Sequence, residues 1–255
     1  MESLVIVFAV GLGAALGSFA CCQAWRLRYK LTGKKNLGKR SVCLSCHKQL
    51  EWYENIPIVS WVVQRGKCRK CGKKIGVAEL LAELGGAVAF GLVGWKFAAT
   101  GDWGWVMGLN AGIVAVFLTI AMMLAIYDGK WGELPFEWLV ALNVVGVAYA
   151  IVNLTWGEMD AVKLVEGVGI LAGVYYLLYF LSREKLVGGG DWILCLAIAM
   201  VLGDPWLAVW TLFLSNFIGA AVMMPIKKKK IAFGPFLVMG FVMVFALSDV
   251  ILKYI

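Results

Sequence analysis

Ser182-Arg183-Glu184-Lys185-Leu186-Val187-Gly188-Gly189-Gly190-Asp191-Trp192-Ile193-Leu194 is the stretch that decides how the chain is read. A charged connection passes, through three glycines and an acid, into an apolar run. A carboxylate at the mouth of a membrane-depth segment is costly, which makes Asp191 a functional candidate. Glycine has no Cβ, so Gly188 and Gly190 let the backbone turn tightly or let another chain approach it. Asp128 stands in a matching place, at the end of the apolar run 106–127. The pair reads as two catalytic carboxylates; taken singly, each acid also fits an ordinary helix end in water.

The surroundings of these acids set the class. Of the 255 residues 62% are hydrophobic and 16% charged, whereas a soluble domain is about half apolar and about a quarter charged. The chain is therefore read as an all-α polytopic membrane protein with lipids around it. Its net charge of +8 has a topological explanation, since Lys and Arg collect in cytoplasmic loops, and no nucleic-acid partner is expected. The start, Met1-Glu2-Ser3, lacks a positive n-region, and the apolar run continues to about Ala24, so it reads as a retained first span.

Eight apolar windows are expected to cross a bilayer, near 3–25, 76–98, 104–127, 135–154, 161–181, 191–203, 206–225 and 231–252. Gly203-Asp204-Pro205 separates the sixth from the seventh. The segment 26–75 carries 14 of the 24 Lys and Arg residues. Lys130, Arg183, Lys185 and the run 227–230 fall on the same side as that segment when there are eight spans. Asp102, Glu158, Asp160 and Asp204 fall on the other. Both termini are then outside the cytoplasm, and Asp128 and Asp191 lie together at the cytoplasmic face. The domain reading is 1–25 as the first helix, 26–75 as a cytoplasmic domain between helices 1 and 2, and 76–255 as the remaining helices.

The 26–75 segment is poor in large core residues but holds two C-x-x-C pairs, Cys43-Leu44-Ser45-Cys46 and Cys68-Arg69-Lys70-Cys71. Two such knuckles with 21 residues between them make a four-thiolate, zinc-ribbon-like site. Structural Zn2+ would supply folding energy that the small core cannot. A redox dithiol pair or free thiols are the other readings. His47, the only histidine, follows the first knuckle and reads as a spectator. Cys21, Cys22 and Cys195 read as small packing residues inside spans.

These segments together resemble one family, the type IV prepilin leader peptidases, which are membrane aspartic proteases of the G-x-G-D type. Gly188-Gly189-Gly190-Asp191 resembles their signature acid, and Asp128 with Leu134-Pro135 resembles the first acid and its downstream pair. Glu54-Asn55-Ile56-Pro57-Ile58-Val59-Ser60-Trp61 and Arg65-Gly66-Lys67-Cys68 are similar to the family's zinc loop. Gly17-Ser18-Phe19 with Arg26, and Phe233-Gly234-Pro235-Phe236, are similar to the end of its first span and the start of its last. The chain departs from the pattern at Cys21, usually Asn, at Leu27-Arg28, usually Leu-Pro, and at Phe136, often an acid or amide.

The resemblance implies an enzyme of the bacterial inner membrane that cleaves the basic leader of prepilin or pseudopilin substrates after a Gly. It implies Asp128 and Asp191 as the catalytic pair. It also implies N-methylation of the new terminus with S-adenosylmethionine, with Gly66 as a candidate. On its own residues Gly66 reads first as a turn glycine before a knuckle. Two rivals are a non-enzymatic membrane adaptor displaying a zinc ribbon, and a transporter that binds cations or relays protons through its acids. The transporter prefers acids near the bilayer centre, whereas these stand at span ends.

Overall fold

The computed structural model describes residues 2–33, 40–101, 104–156, 159–184, 187–223 and 232–254. Asp102, Glu158, Lys185 and the run 227–230, used above for orientation, lie outside them. The described chain is all-helical apart from two isolated bridges. It divides into two compact units, Met1–Gly94 and Trp95–Ile255.

The first unit holds α1 (Glu2–Leu31), a 3₁₀ turn (Trp52–Asn55), α2 (Val59–Val63) and most of α3 (Val77–Ala99). α1 and α3 pack through small residues. A Cβ on Gly13 would strike the Gly86 carbonyl, and one on Gly17 would strike that of Ala82. Backbones in contact are the geometry expected of membrane helices, where association rests on close packing rather than on escape from water. The outer face of α1 exposes Leu4, Val7 and Phe8, apolar groups suited to lipid.

The second unit holds α4 (Trp105–Trp131), α5 (Phe136–Thr155), α6 (Ala161–Ser182), α7 (Gly189–Leu202), α8 (Pro205–Met223), α9 (Gly234–Ala246) and α10 (Ser248–Lys253). Its core is Phe117, Leu118, Leu124, Leu142, Leu171, Leu194, Ile198, Leu237 and Phe241, all fully buried. α6 packs chiefly on α7 and α8, α5 on α7 and α4, and α9 on α8 and α4. Asn110 and Asn153 exchange side-chain hydrogen bonds of 3.0 and 3.1 Å between α4 and α5. A buried amide pair of this kind leaves little polar capacity unmet.

All eight expected spans are helices, but not of one kind. Six helices in the two units are long and apolar enough to cross a membrane: α1, α3, α4, α5, α6 and α8. α7 and α9 are shorter apolar helices. The sixth and seventh spans are separate, because Gly203 takes a left-handed φ of 64° and Asp204 then receives the Trp206 N–H at 2.9 Å, starting α8. The last span is interrupted at Leu247, where the Ser248 hydroxyl donates to the Phe245 carbonyl at 3.0 Å. A hydroxyl bonding its own backbone competes with the helix ladder.

Candidate active site and metal centre

In the second unit, the last turns of α4 and α6 and the first turns of α5, α7 and α9 meet at one end. The contacts that show it are local and specific. Asp128, in the last turn of α4, accepts the Gly234 N–H at the start of α9 at 2.8 Å. Gly190, at the start of α7, packs on Leu134 just before α5 begins; a Cβ there would lie 2.7 Å from the Leu134 Cβ. Tyr175 of α6 packs at a tilt on Phe233, with ring centroids 5.9 Å apart, and its hydroxyl accepts from Asn216 of α8 at 3.0 Å. Aromatic rings collect at the same level: Tyr127 with Trp131 at 4.5 Å and Trp138 at 5.9 Å, and Tyr176 with Trp192 at 5.4 Å. A second group, Trp105 with Trp156 at 4.9 Å, marks the other end. Two aromatic levels are what a membrane protein places at its two interfaces.

Both acids singled out from the sequence are buried here, Asp128 with 5% and Asp191 with 7% of its surface exposed. Each is held in the same way. Asp191 accepts the Gly188 N–H at 2.9 Å, and Asp128 that of Gly234. Both donors stand at helix N-termini, where unpaired N–H groups and the helix dipole favour an anion. Gly188 has an ordinary φ of −73°. Gly190 therefore serves close approach to Leu134 rather than a left-handed turn, whereas a Cβ on Gly189 would meet Tyr179 only at an ordinary 3.4 Å. Gly234 was not among the site residues expected from the sequence. Its N–H holds Asp128, and a Cβ on it would lie 2.9 Å from the same carboxylate oxygen.

In the first unit, Cys43, Cys46, Cys68 and Cys71 bring their sulfurs within 4.8 Å of one another. Tetrahedral zinc with Zn–S bonds of about 2.3 Å spaces its sulfurs about 3.8 Å apart, and Cys43 and Cys71 are 3.9 Å apart. The two knuckles are copies of one design. The Cys43 N–H donates to Lys48 and the Cys68 N–H to Lys73, both at 2.9 Å, and bridges join Val42 to Gln49 and Lys67 to Lys74. His47, with φ of 55°, fills the left-handed position that Gly72, with φ of 67°, fills in the second copy. It stands outside the sulfur cluster.

The backbone N–H groups of Cys71 and Lys70 draw the Cys68 thiol down to about 7. Against the pull of the Lys73 N–H, burial and the neighbouring thiols push Cys71 up to about 11. The cluster thus holds one sulfur readily ionised and another that a cation would have to deprotonate. Four converging thiols fit a metal such as zinc.

Glu54 ties the 3₁₀ turn to the first knuckle. It accepts from Glu51 N–H at 3.0 Å and from Lys48 Nζ at 2.9 and 3.1 Å. The Glu51 N–H first, and Lys48 next, hold its carboxyl below the usual range. Ile58, a β-branched residue with φ of 63°, is held by its N–H to Glu83 of α3 at 2.7 Å. Such a φ is an outlier for this residue type and needs a fixed partner.

Between these elements and the ends of α1 and α3 lies a cavity of about 230 Å³, lined among others by Cys21, Trp25, Trp61, Glu79 and Glu83. Gly66 is buried with φ of 62° before the second knuckle, and a Cβ on it would lie 2.8 Å from the Trp61 ring. The turn reading of Gly66 is what the geometry supports directly; its neighbour Trp61 lines the cavity.

Fold and site define a class: a multi-pass helical membrane protein with two acids buried at one end of a helix bundle and a four-cysteine ribbon in a separate unit. Comparison with known proteins names the family. Residues 12–97 match the bacterial peptidase A24 N-terminal domain, and residues 115–224 match the type IV leader peptidase family. The prepilin leader peptidase/N-methyltransferase of Neisseria gonorrhoeae is 32% identical over 216 residues, covering 82% of this chain and 71% of that protein. That of Bacillus subtilis is 28% identical over 261 residues, covering 100% and 97%. The type 4 prepilin-like proteins leader peptide-processing enzyme of Escherichia coli is 26% identical over 223 residues, covering 79% and 78%. No solved structure matches. The chain belongs to the type IV leader peptidase family. The family match includes Asp128 and Asp191 and stops short of Gly234.

Proposed function

We propose that this protein is a membrane aspartic endopeptidase that removes the basic leader of prepilin-like proteins after a Gly, and that it N-methylates the residue so exposed. The observation that carries the first part is the matched pair of buried acids, each held by a glycine N–H at a helix N-terminus at one end of the second unit. The relatives' names supply the reaction. We place that end at the cytoplasmic face of the bacterial inner membrane, on the charge bias of the loops. The peptidase part is assigned to 76–255 and the ribbon to 26–75.

A prepilin has its leader in water and its helix in lipid, so its scissile bond sits at the boundary. Two carboxylates serving one peptide bond cannot both ionise easily, and one keeps a proton. The ionised member takes a proton from water as the oxygen attacks the peptide carbonyl. The protonated member hydrogen-bonds to the carbonyl oxygen, and the member that took the proton from water passes it to the leaving amine, which returns the pair to its starting charge. The pair titrates as a unit, so neither Asp is singled out for the proton. The Gly188 and Gly234 N–H groups orient the carboxylates through this exchange.

Zinc is assigned to Cys43, Cys46, Cys68 and Cys71, where it would hold the ribbon together. S-adenosylmethionine, when bound, supplies a methyl group to the free amine. The first-unit cavity suits S-adenosylmethionine, because Trp25 and Trp61 offer aromatic faces and Glu54, Glu79 and Glu83 negative charge to its sulfonium, while Arg26, Arg40, Lys73 and Lys74 offer positive charge to its carboxylate. Gly66 would act there through Trp61. The test is incubation of the purified protein with a prepilin-type peptide and S-adenosylmethionine, read by mass spectrometry. Leader loss with the mass of one methyl group added to the product is expected; an intact peptide would end the peptidase reading.

A further inference from the structure

Next to Asp191 the contact between α5 and α7 opens into an apolar furrow of about 430 Å³. Phe136, Val140, Val144 and Val147 line it from α5, and Trp192 and Leu196 from α7. The α5 positions recur at helical spacing and form one stripe, and Phe136 and Val144 are 67% and 63% exposed. We propose that this furrow holds the apolar helix of the substrate, the segment that directly follows the scissile bond. The proposal rests on the peptidase reading above.

Three observations carry it. The first is continuity with the acids. The furrow begins at Trp192, the residue after Asp191, and at Phe136, two residues beyond the Leu134 on which Gly190 packs. A chain whose peptide bond lies at Asp191 and whose next residues are apolar finds the furrow as its nearest apolar surface. The second is length. From Phe136 to Val147 the stripe rises about 17 Å along α5, at about 1.5 Å per residue. That accommodates about eleven residues of an incoming helix by the same rise.

The third is the one polar group. Asn143 lines the furrow and donates to the Leu139 carbonyl of its own helix at 2.9 Å and to the Ile193 carbonyl of α7 at 3.1 Å. It thereby clasps α7 two residues from Asp191. This bond ties the two walls of the furrow together at a fixed spacing, as a groove that receives a helix requires.

The experiment compares two substrates of the purified full chain. One carries leader and apolar helix; the other is a short peptide across the scissile bond without the helix. Val144→Phe and Val147→Phe fill the furrow from exposed positions. Each is expected to lower kcat/KM for the helix-bearing substrate by about ten-fold, carried by KM, the equivalent of about 1.4 kcal/mol of lost docking. Cleavage of the short peptide stays unchanged. Val165→Phe on α6, 70% exposed outside the furrow, leaves both unchanged.

Equal loss on both substrates, or no loss on either, overturns the furrow as a docking site; the second outcome makes it lipid-facing only. A photo-reactive residue at position 147 in an Asp191→Asn background reads docking without cleavage. Crosslinking to the substrate helix is expected. Its absence, with wild-type cleavage intact, defeats the furrow and spares the peptidase reading. Crosslinking without any wild-type cleavage does the reverse.

Discussion

Gly234→Ala isolates the contact that orients Asp128. Gly234 lies at the start of α9 with an ordinary backbone conformation, so alanine brings no backbone strain. What it brings is a Cβ 2.9 Å from the Asp128 Oδ2. Few real Cβ contacts are so short, and the carboxylate is on a stem too short to fold away. Either Asp128 swings off or α9 retreats, and in both cases the 2.8 Å bond from the Gly234 N–H lengthens or breaks. A hydrogen bond to a charged group is worth about 1.5–3 kcal/mol. If the orientation it provides is needed only in the reaction, that predicts a fall in kcat of about ten- to a hundred-fold. KM should move little, because Asp128 is 5% exposed and offers little surface for binding. The assay is steady-state cleavage of a prepilin peptide, with thermal unfolding as a check on the fold. Gly112→Ala on the same α4, where a Cβ meets nothing within 4 Å, serves as control. A Gly234→Ala enzyme with wild-type kcat would refute the reasoning that this N–H holds a catalytic carboxylate.

Four further outcomes follow from the same geometry. Asp128→Asn and Asp191→Asn keep an acceptor for their glycine N–H, so each should fold while losing about 10²–10⁴ in kcat, and the double variant should lose no more than either alone; additive losses would show that the acids do not act as a unit. Cys43→Ser with Cys46→Ser, or chelation, should abolish metal binding and expose the ribbon to protease, checked by metal analysis and limited proteolysis. Gly66→Val should press on Trp61 and lower methylation while leader removal persists; loss of both activities together would count against a separate methylation cavity. Glu54, with its carboxyl held low, contributes stability that is present above the ordinary carboxylate pKa and is lost as pH falls through the depressed value, so the wild-type ribbon should loosen on acidification below about pH 4, whereas Glu54→Gln should remove this acid step, as read by hydrogen exchange of residues 42–75.

Much of this protein was legible along the chain because the physics involved is short-ranged. An apolar run long enough to span lipid must satisfy its own backbone as a helix, and each of the eight runs is helical. Two C-x-x-C knuckles bring their own turns, so the sulfur cluster needed only their spacing. The equivalence of His47 and Gly72, 25 positions apart, was also there to be read from the repeated pattern Cys-x-x-Cys-x-Lys. Asp204 as the stop between α7 and α8 follows from its place between Gly203 and Pro205.

Tertiary structure decided what depends on distant partners. Gly234 and Asp128 are 106 residues apart, and nothing local marks one as the hydrogen-bond donor of the other. The three glycines before Asp191 suggested either a tight turn or a close approach, and only packing shows that Gly190 meets Leu134, a residue of another helix connection. Asn143 read as one more residue of a span until packing put its amide on the Ile193 carbonyl. Residue type and spacing determine which segments are helical and which thiols can meet, since those energies are set within a few residues. Which helix ends converge, and so which acids come to lie at one end of the bundle, is set by side-chain packing between helices, which the order of residues along one helix does not contain.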